Sequence, residues 1–312
     1  MTSSATEKPT EAAGVDRVPV YRAAVGGLLM GLANLVPGVS GGTMIVVVGL
    51  YDRFIESIAD VTRLRFTRQN VLFLAIMGIT AAVAIGAFAG TLGRAVSLHR
   101  SAMFSLFIGM TLGGAPLLLG MIKKFRFQTS MGVLLGLAVM VAIALTRDEP
   151  PNRQVVREAI EQGTIVIQSA YARDAAAGIL GMSAMVLPGI SGAYMLLILG
   201  RYETILGAIS IVKNVLTGSG GQSDLSVALH VLVPTAIGAI LSLVLLSNIL
   251  KWLLHHYRDA TLGVLLGILL GSVVGIWPFD SVSEAGDYVI GSLLAVGGFA
   301  ATTLLSRIGR GR

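Results

Sequence analysis

Cysteine is absent from the 312 residues. Disulfides, thiolate metal sites and a cysteine nucleophile are therefore excluded. Charge is scarce as well: only 13% of residues are Asp, Glu, Lys or Arg, against about 25% in soluble domains. Four histidines are scattered, and the adjacent pair His255 and His256 cannot share one helix face, so the zinc pattern H-E-x-x-H is missing. No cofactor and no metal is expected.

What is there in quantity is apolar: 54% of residues are hydrophobic, with 39 glycines. In so apolar a chain, glycine signals close helix packing and broken helices in lipid. The net charge of +6 does not point to nucleic acid, because the bases lie between apolar segments, as in loops facing an inner membrane leaflet. Residues 1–18 are polar and lack a signal peptide's apolar core. They are expected to form a disordered cytoplasmic tail.

Six stretches are long and apolar enough to span about 30 Å of hydrocarbon as helices: 71–93, 102–122, 131–145, 227–246, 260–277 and 288–305. Two more, 23–49 and 175–200, are each interrupted by a Pro-Gly pair, Pro37-Gly38 and Pro188-Gly189. Proline removes a donor and glycine frees the backbone, so each half is too short to span. A re-entrant hairpin of two half-helices fits this better than one kinked crossing.

Residues 22–51 and 173–202 align without a gap, and 12 of 30 positions are identical, including Arg22/Arg173, Pro37/Pro188, Ser40/Ser191 and Tyr51/Tyr202. Biased composition would not align Arg, Pro, Ser and Tyr together. The similarity resumes at Arg100 against Arg258, with Gly109/Gly267 and Gly113/Gly271 in register. The predicted fold class is an all-α polytopic membrane protein with an inverted repeat, each half a re-entrant helical hairpin plus three transmembrane helices, because an odd number of spans starts the second copy on the opposite side. The expected divisions are the tail 1–18, a first repeat 19–146, a partly amphipathic linker 147–172, a second repeat 173–306 and a basic cytoplasmic tail 307–312. With both termini on one side, that side carries 15 Lys/Arg and the other 8. The positive-inside rule makes it cytoplasmic.

Chemistry concentrates in the two turns. If each caps the second half of a hairpin, Ser40 and Ser191 are N-cap residues, and the N–H groups of Gly41, Gly42, Thr43 and Gly192 point into a site suited to an anion. Helix-breaking turns packed on their neighbours are the plain alternative. Arg22 and Arg173 precede the hairpins at matched positions and either pair with an anionic head group or snorkel to the interface. Tyr51, Asp52, Tyr202 and Glu203 close the hairpins at the expected interface, where a carboxylate could carry a coupling proton or remain a solvated loop acid. Pro116 and Pro234 are expected to kink spanning helices.

A serine hydrolase is the competing enzyme reading, since Gly38-Val-Ser-Gly-Gly42 satisfies G-x-S-x-G. The second copy breaks that pattern at Ala193, and no histidine is well placed to act as base. A secondary transporter of a small soluble anion is the other alternative to movement of a lipid.

The segments GLANLVPGVSGGTM at 31–44 with Gly49-Leu-Tyr51, MVLPGISGAYMLLILGRY at 185–202, and the run 109–116 resemble the PopT-type bacterial polyprenyl-phosphate translocases. The resemblance implies a non-enzymatic flippase of the bacterial cytoplasmic membrane that returns undecaprenyl or decaprenyl phosphate from the outer to the cytoplasmic leaflet for cell-wall synthesis. Its implied partner is the polyprenyl phosphate lipid. The second copy has Ala193 and Tyr194 where the first has Gly42 and Thr43, so the turns are not expected to be equivalent.

Overall fold

The computed structural model describes residues 18–35, 39–145, 170–217, 222–279 and 285–310. The expected N-terminal tail, almost all of the linker 147–172, and the turn residues Pro37 and Gly38 fall outside these. Among the described residues every regular element is a helix. In chain order they are α1 (Val20–Asn34), α2 (Gly41–Val47), α3 (Tyr51–Thr62), α4 (Arg68–Leu98), α5 (Arg100–Leu112), α6 (Ala115–Met121) and α7 (Phe127–Leu145), then α8 (Tyr171–Val186), α9 (Gly192–Ile198), α10 (Tyr202–Leu216), α11 (Gln222–His256), α12 (Arg258–Gly275) and α13 (Ala285–Arg310).

Among the described residues, six apolar stretches are long enough to cross a bilayer: in α4, across α5 and α6, and in α7, α11, α12 and α13. The chain is a polytopic membrane protein. Its second span is broken, because the chain turns at Gly113 and Gly114 and resumes with Pro116 inside the first turn of α6, where a missing donor costs nothing. Pro234, by contrast, sits inside an unbroken α11.

After each interrupted apolar stretch and before the following span stand two further helices, α3 and α10; in the first repeat the sequence suggested a loop there. In α3 the buried positions Tyr51, Ile55, Ile58 and Ala59 share one face, and charged residues occupy the other. Its charges hide a helix from a hydropathy scan.

Helix order repeats, and so do the contacts. Glycine makes the closest ones, as expected where lipid offers no hydrophobic drive and helices associate by backbone approach. A Cβ on Gly27 of α1 would strike the carbonyl of Met77 in α4; one on Gly178 of α8 would strike that of Thr235 in α11. Across the two halves, Gly109 of α5 meets Ala295 of α13 and Gly267 of α12 meets Val133 of α7. Further along, Gly113 meets Thr302 and Gly271 meets Met140. The residue numbers rise together along both seams, so α5 runs parallel to α13, and α12 parallel to α7. Gly27 against Met77 and Gly31 against Ala81 make α1 parallel to α4 in the same way.

One face gathers polar contacts. There Asp60 of α3 pairs with Lys251 of α11 at 2.6 Å and accepts from Asn70 of α4 at 3.1 Å. Arg63 donates to Asn248, whose own amide donates to Thr62 at 3.1 Å. The start of α4 and the end of α11 therefore lie at the same level, tied by α3.

Candidate functional site: two interlocked turns

The residues that follow the first Pro-Gly pair meet the second Pro-Gly turn. Ser40 Oγ donates to the carbonyl of Leu187 at 2.9 Å, and the Gly189 N–H donates to Thr43 Oγ1 at 2.8 Å. Both first-turn side chains are buried, Ser40 at 3% and Thr43 at 0% exposure. These bonds join residues about 150 positions apart in sequence.

Local chemistry explains the interlock. Ser40 occupies the N-cap position of α2 with extended backbone, but its hydroxyl makes no cap bond. It turns instead to Leu187, the residue that ends α8, whose carbonyl lacks a helical partner. A buried carbonyl left unpaired costs about 1–3 kcal/mol, so the cross-turn bond outweighs a cap that α2 can spare. Gly42 is glycine for a plain reason: a Cβ there would lie 3.0 Å from the carbonyls of Val186 and Leu187. Gly41 is similarly closed in by Met30 and Asn34. Gly189 has φ of +91° and backs onto the Ile268 carbonyl of α12, so no other residue suits it.

Ser191 is buried at 6% exposure, and its main-chain carbonyl accepts from Met195. Gly192, which opens α9, packs against Met185 and the Gly181 carbonyl. Pro188 is buried beside Gly189.

The matched arginines diverge. Arg22 donates through Nη2 to the Val48 carbonyl at 3.2 Å, closing the end of α2, while its Nε is buried without a partner. Arg173 is exposed on α8. What ties the start of α8 to the residue before α10 is a pair that the sequence did not single out: Arg201 Nε donates to Asp174 Oδ1 at 2.6 Å, with Asp174 wholly buried. Asp174 Oδ2 also accepts from the Ala170 N–H at 3.0 Å. The signal was present, since these charges stand where the first repeat has Ala23 and Leu50.

Tyr51, expected at the interface, is buried at 1% exposure with no hydroxyl partner. Burial, and then the neighbouring Asp52 charge, push its phenol pKa upward, so it stays neutral. Asp52 pairs with Arg258 at the start of α12 at 2.7 Å. Tyr202 and Glu203, which open α10, are half-buried. His99 is at the α4–α5 corner, His230 lies in α11, and His255 and His256 end α11.

A buried junction of two turns in an apolar bundle, built on hydroxyl and main-chain N–H donors, has the chemistry to receive a small anion. Comparison with known proteins gives the family. Two relatives called polyprenyl-phosphate transporter, from Vibrio cholerae and Staphylococcus aureus, are each 29% identical to this chain. The first aligns over 84% of this chain and 81% of its own length, the second over 81% and 84%. No solved structure matches. Residues 30–292 match the undecaprenyl phosphate translocase-like family, and the chain belongs to that family.

Proposed function

We propose that this protein is a flippase for polyprenyl phosphate, in which the head group passes between the two interlocked turns while the prenyl tail stays in lipid. The observation that carries this is the hydrogen-bonded junction of Ser40 and Thr43 with Leu187 and Gly189, found in a chain of the translocase-like family. A phosphate is a stronger acceptor than a carbonyl. Arriving at the junction, it would take the Ser40 hydroxyl and the Gly189 N–H from their present partners and part the turns. Gly41, Gly42, Ser191 and Gly192 line the same junction in this reading, and Arg22 lies at the hairpin's exit.

The repeat is read as inverted and the hairpins as re-entrant. Support comes from chain direction. Successive spans alternate, so parallel packing of the second span of one half on the third span of the other requires opposed halves. Asp60, touching the start of α4 and the end of α11, supports the same arrangement. For the hairpin, α1 parallel to α4 supports entry and return on one side; a single crossing through α1 and α2 would leave the two antiparallel. Opposed halves suit alternating access. The face carrying α3 is read as cytoplasmic from the charge bias, with both termini there, in the bacterial cytoplasmic membrane. Transport then runs from the outer leaflet inward, supplying cell-wall synthesis. No enzymatic step is involved.

Proteoliposomes decide between cargoes. Labelled polyprenyl phosphate placed in one leaflet should equilibrate across the bilayer faster with protein than without. Uptake of soluble phosphate or a carboxylate, with no movement of the lipid, would replace this reading with that of a soluble-anion transporter. For direction, cells lacking this protein and any redundant translocase should accumulate polyprenyl phosphate in the outer leaflet.

A further inference from the structure

We propose that the face carrying α3 holds a second anion site, a pocket that receives the phosphate monoester of the lipid cargo once it has left the turns. The proposal rests on the transport reading above. A cavity of about 350 Å³ lies between the α6–α7 loop and the α11–α12 corner, lined by Lys123, Arg126, His255, His256, Arg258 and Asp259. Asp259 Oδ1 accepts the Lys123 main-chain N–H at 3.0 Å, which ties this loop to the start of α12 and leaves one carboxylate among the lining bases. Among the described residues, neither the Lys123 ammonium nor the Arg126 guanidinium has a carboxylate partner. Both residues line the cavity with Arg258, so its bases outnumber its one acid.

Three observations commit the site to a lipid phosphate. First, exposed aromatic residues adjoin it: Tyr257 lines the cavity, and Trp252 stacks on the lining His256 at 5.0 Å, each showing half or more of its surface. Such residues settle at the membrane–water interface, so the pocket is at head-group depth. Basic pockets at that depth are sites for anionic head groups. Second, the site is one-sided. The loop that joins second and third spans is basic in the first repeat, through Lys123, Lys124 and Arg126, whereas its counterpart at 278–287 has three acids and no base. A cargo anion is held at one end of the path and repelled from the other. Third, the pocket touches the hairpin's machinery through Arg258, which also pairs with Asp52 at 2.7 Å. A phosphate in the pocket competes with Asp52 for that guanidinium and loosens the tie between α3 and α12.

The ordinary account of bases on such a face is a solvated, orientation-setting loop, and the test separates the two. Trp252 reports locally once Trp277, the only other tryptophan, is replaced by Phe. Full-length W277F in phosphatidylcholine nanodiscs is titrated with a prenyl monophosphate carrying a nitroxide near its head group, and quenching of Trp252 that unlabelled prenyl phosphate reverses is measured. The double substitution K123Q/R126Q should weaken this binding about tenfold, the loss of roughly one charge-assisted hydrogen bond. The control R65Q/R68Q, which removes an exposed base from the α3–α4 loop and another from the start of α4, should leave it unchanged. Inorganic phosphate and phosphatidylglycerol in excess should not displace the probe.

Equal binding in K123Q/R126Q and the parent overturns the pocket, as does equal weakening in the control. Displacement by inorganic phosphate makes it a site for free anion, and displacement by phosphatidylglycerol a site for bulk lipid; either overturns the proposal. If the pocket fails while proteoliposomes still translocate the lipid, the transport reading stands alone. If the parent neither binds nor translocates it, both fall.

Discussion

Thr43 and Ser40 each lend a side chain to the main chain of the other repeat, and the cost of losing either can be stated. Thr43→Val keeps the shape but orphans the buried Gly189 N–H, a loss of about 1–3 kcal/mol; Thr43→Ser retains the acceptor. In proteoliposomes Thr43→Val should slow lipid-phosphate movement and Thr43→Ser should restore most of it. Ser40→Ala should also slow transport. The buried pair at the second hairpin gives a sharper thermal test. Asp174→Ala leaves Arg201 charged and buried at 8% exposure, and breaking such a pair costs about 3–5 kcal/mol. Adding Arg201→Leu, which imports the first repeat's Ala23 and Leu50, should recover much of the melting temperature in detergent. No recovery would mean that the pair does more than tie the start of α8 to the residue before α10. Spacing in the sequence marked Ser40, Thr43 and Gly42 as special, yet their partners at Leu187 and Gly189 were invisible, because a bond spanning 147 residues leaves no local trace. Asp174 and Arg201 were not legible for another reason: a repeat displays the residues that its two copies share, and these charges stand where the copies differ.

The helices follow the repeat closely. Opening α2 at Gly41 and α9 at Gly192, then α3 at Tyr51 and α10 at Tyr202, keeps the alignment found in the sequence. All six apolar spans were legible, since about 20 apolar residues have few other uses. The amphipathic α3 was not: its charged face lowers the mean hydropathy, and only the spacing of Tyr51, Ile55, Ile58 and Ala59 betrays it. Glycine pairing between the halves was likewise hidden, although Gly109/Gly267 and Gly113/Gly271 were in register. Those glycines now have a stated job. Gly267→Leu drives a side chain into the Val133 main chain, so the variant should lose its monodisperse peak in size-exclusion chromatography. Gly297→Ala, in open space on α13, should elute as the parent does.

On the scale of the whole molecule, the absence of cysteine becomes an experimental convenience. Single cysteines can be placed without first removing any, and a membrane-impermeant maleimide then reports sidedness in intact cells. Opposed halves predict that Arg65→Cys, before α4, and His256→Cys, ending α11, share one protected side, while His99→Cys at the α4–α5 corner labels from outside. Labelling of Arg65→Cys and His256→Cys from opposite sides would make the repeats parallel and remove the symmetry behind alternating access.

The central claim is that the two turns hold the phosphate. A polyprenyl phosphate with a photoreactive group beside its head tests it most directly when cross-linked to the full chain in nanodiscs and mapped by mass spectrometry. The account predicts adducts within 39–44 and 186–192, reduced by Thr43→Val, together with adducts near Lys123 and Arg126. Adducts confined to the lipid-facing surfaces of α4, α7 or α11, with none at either turn, would contradict it.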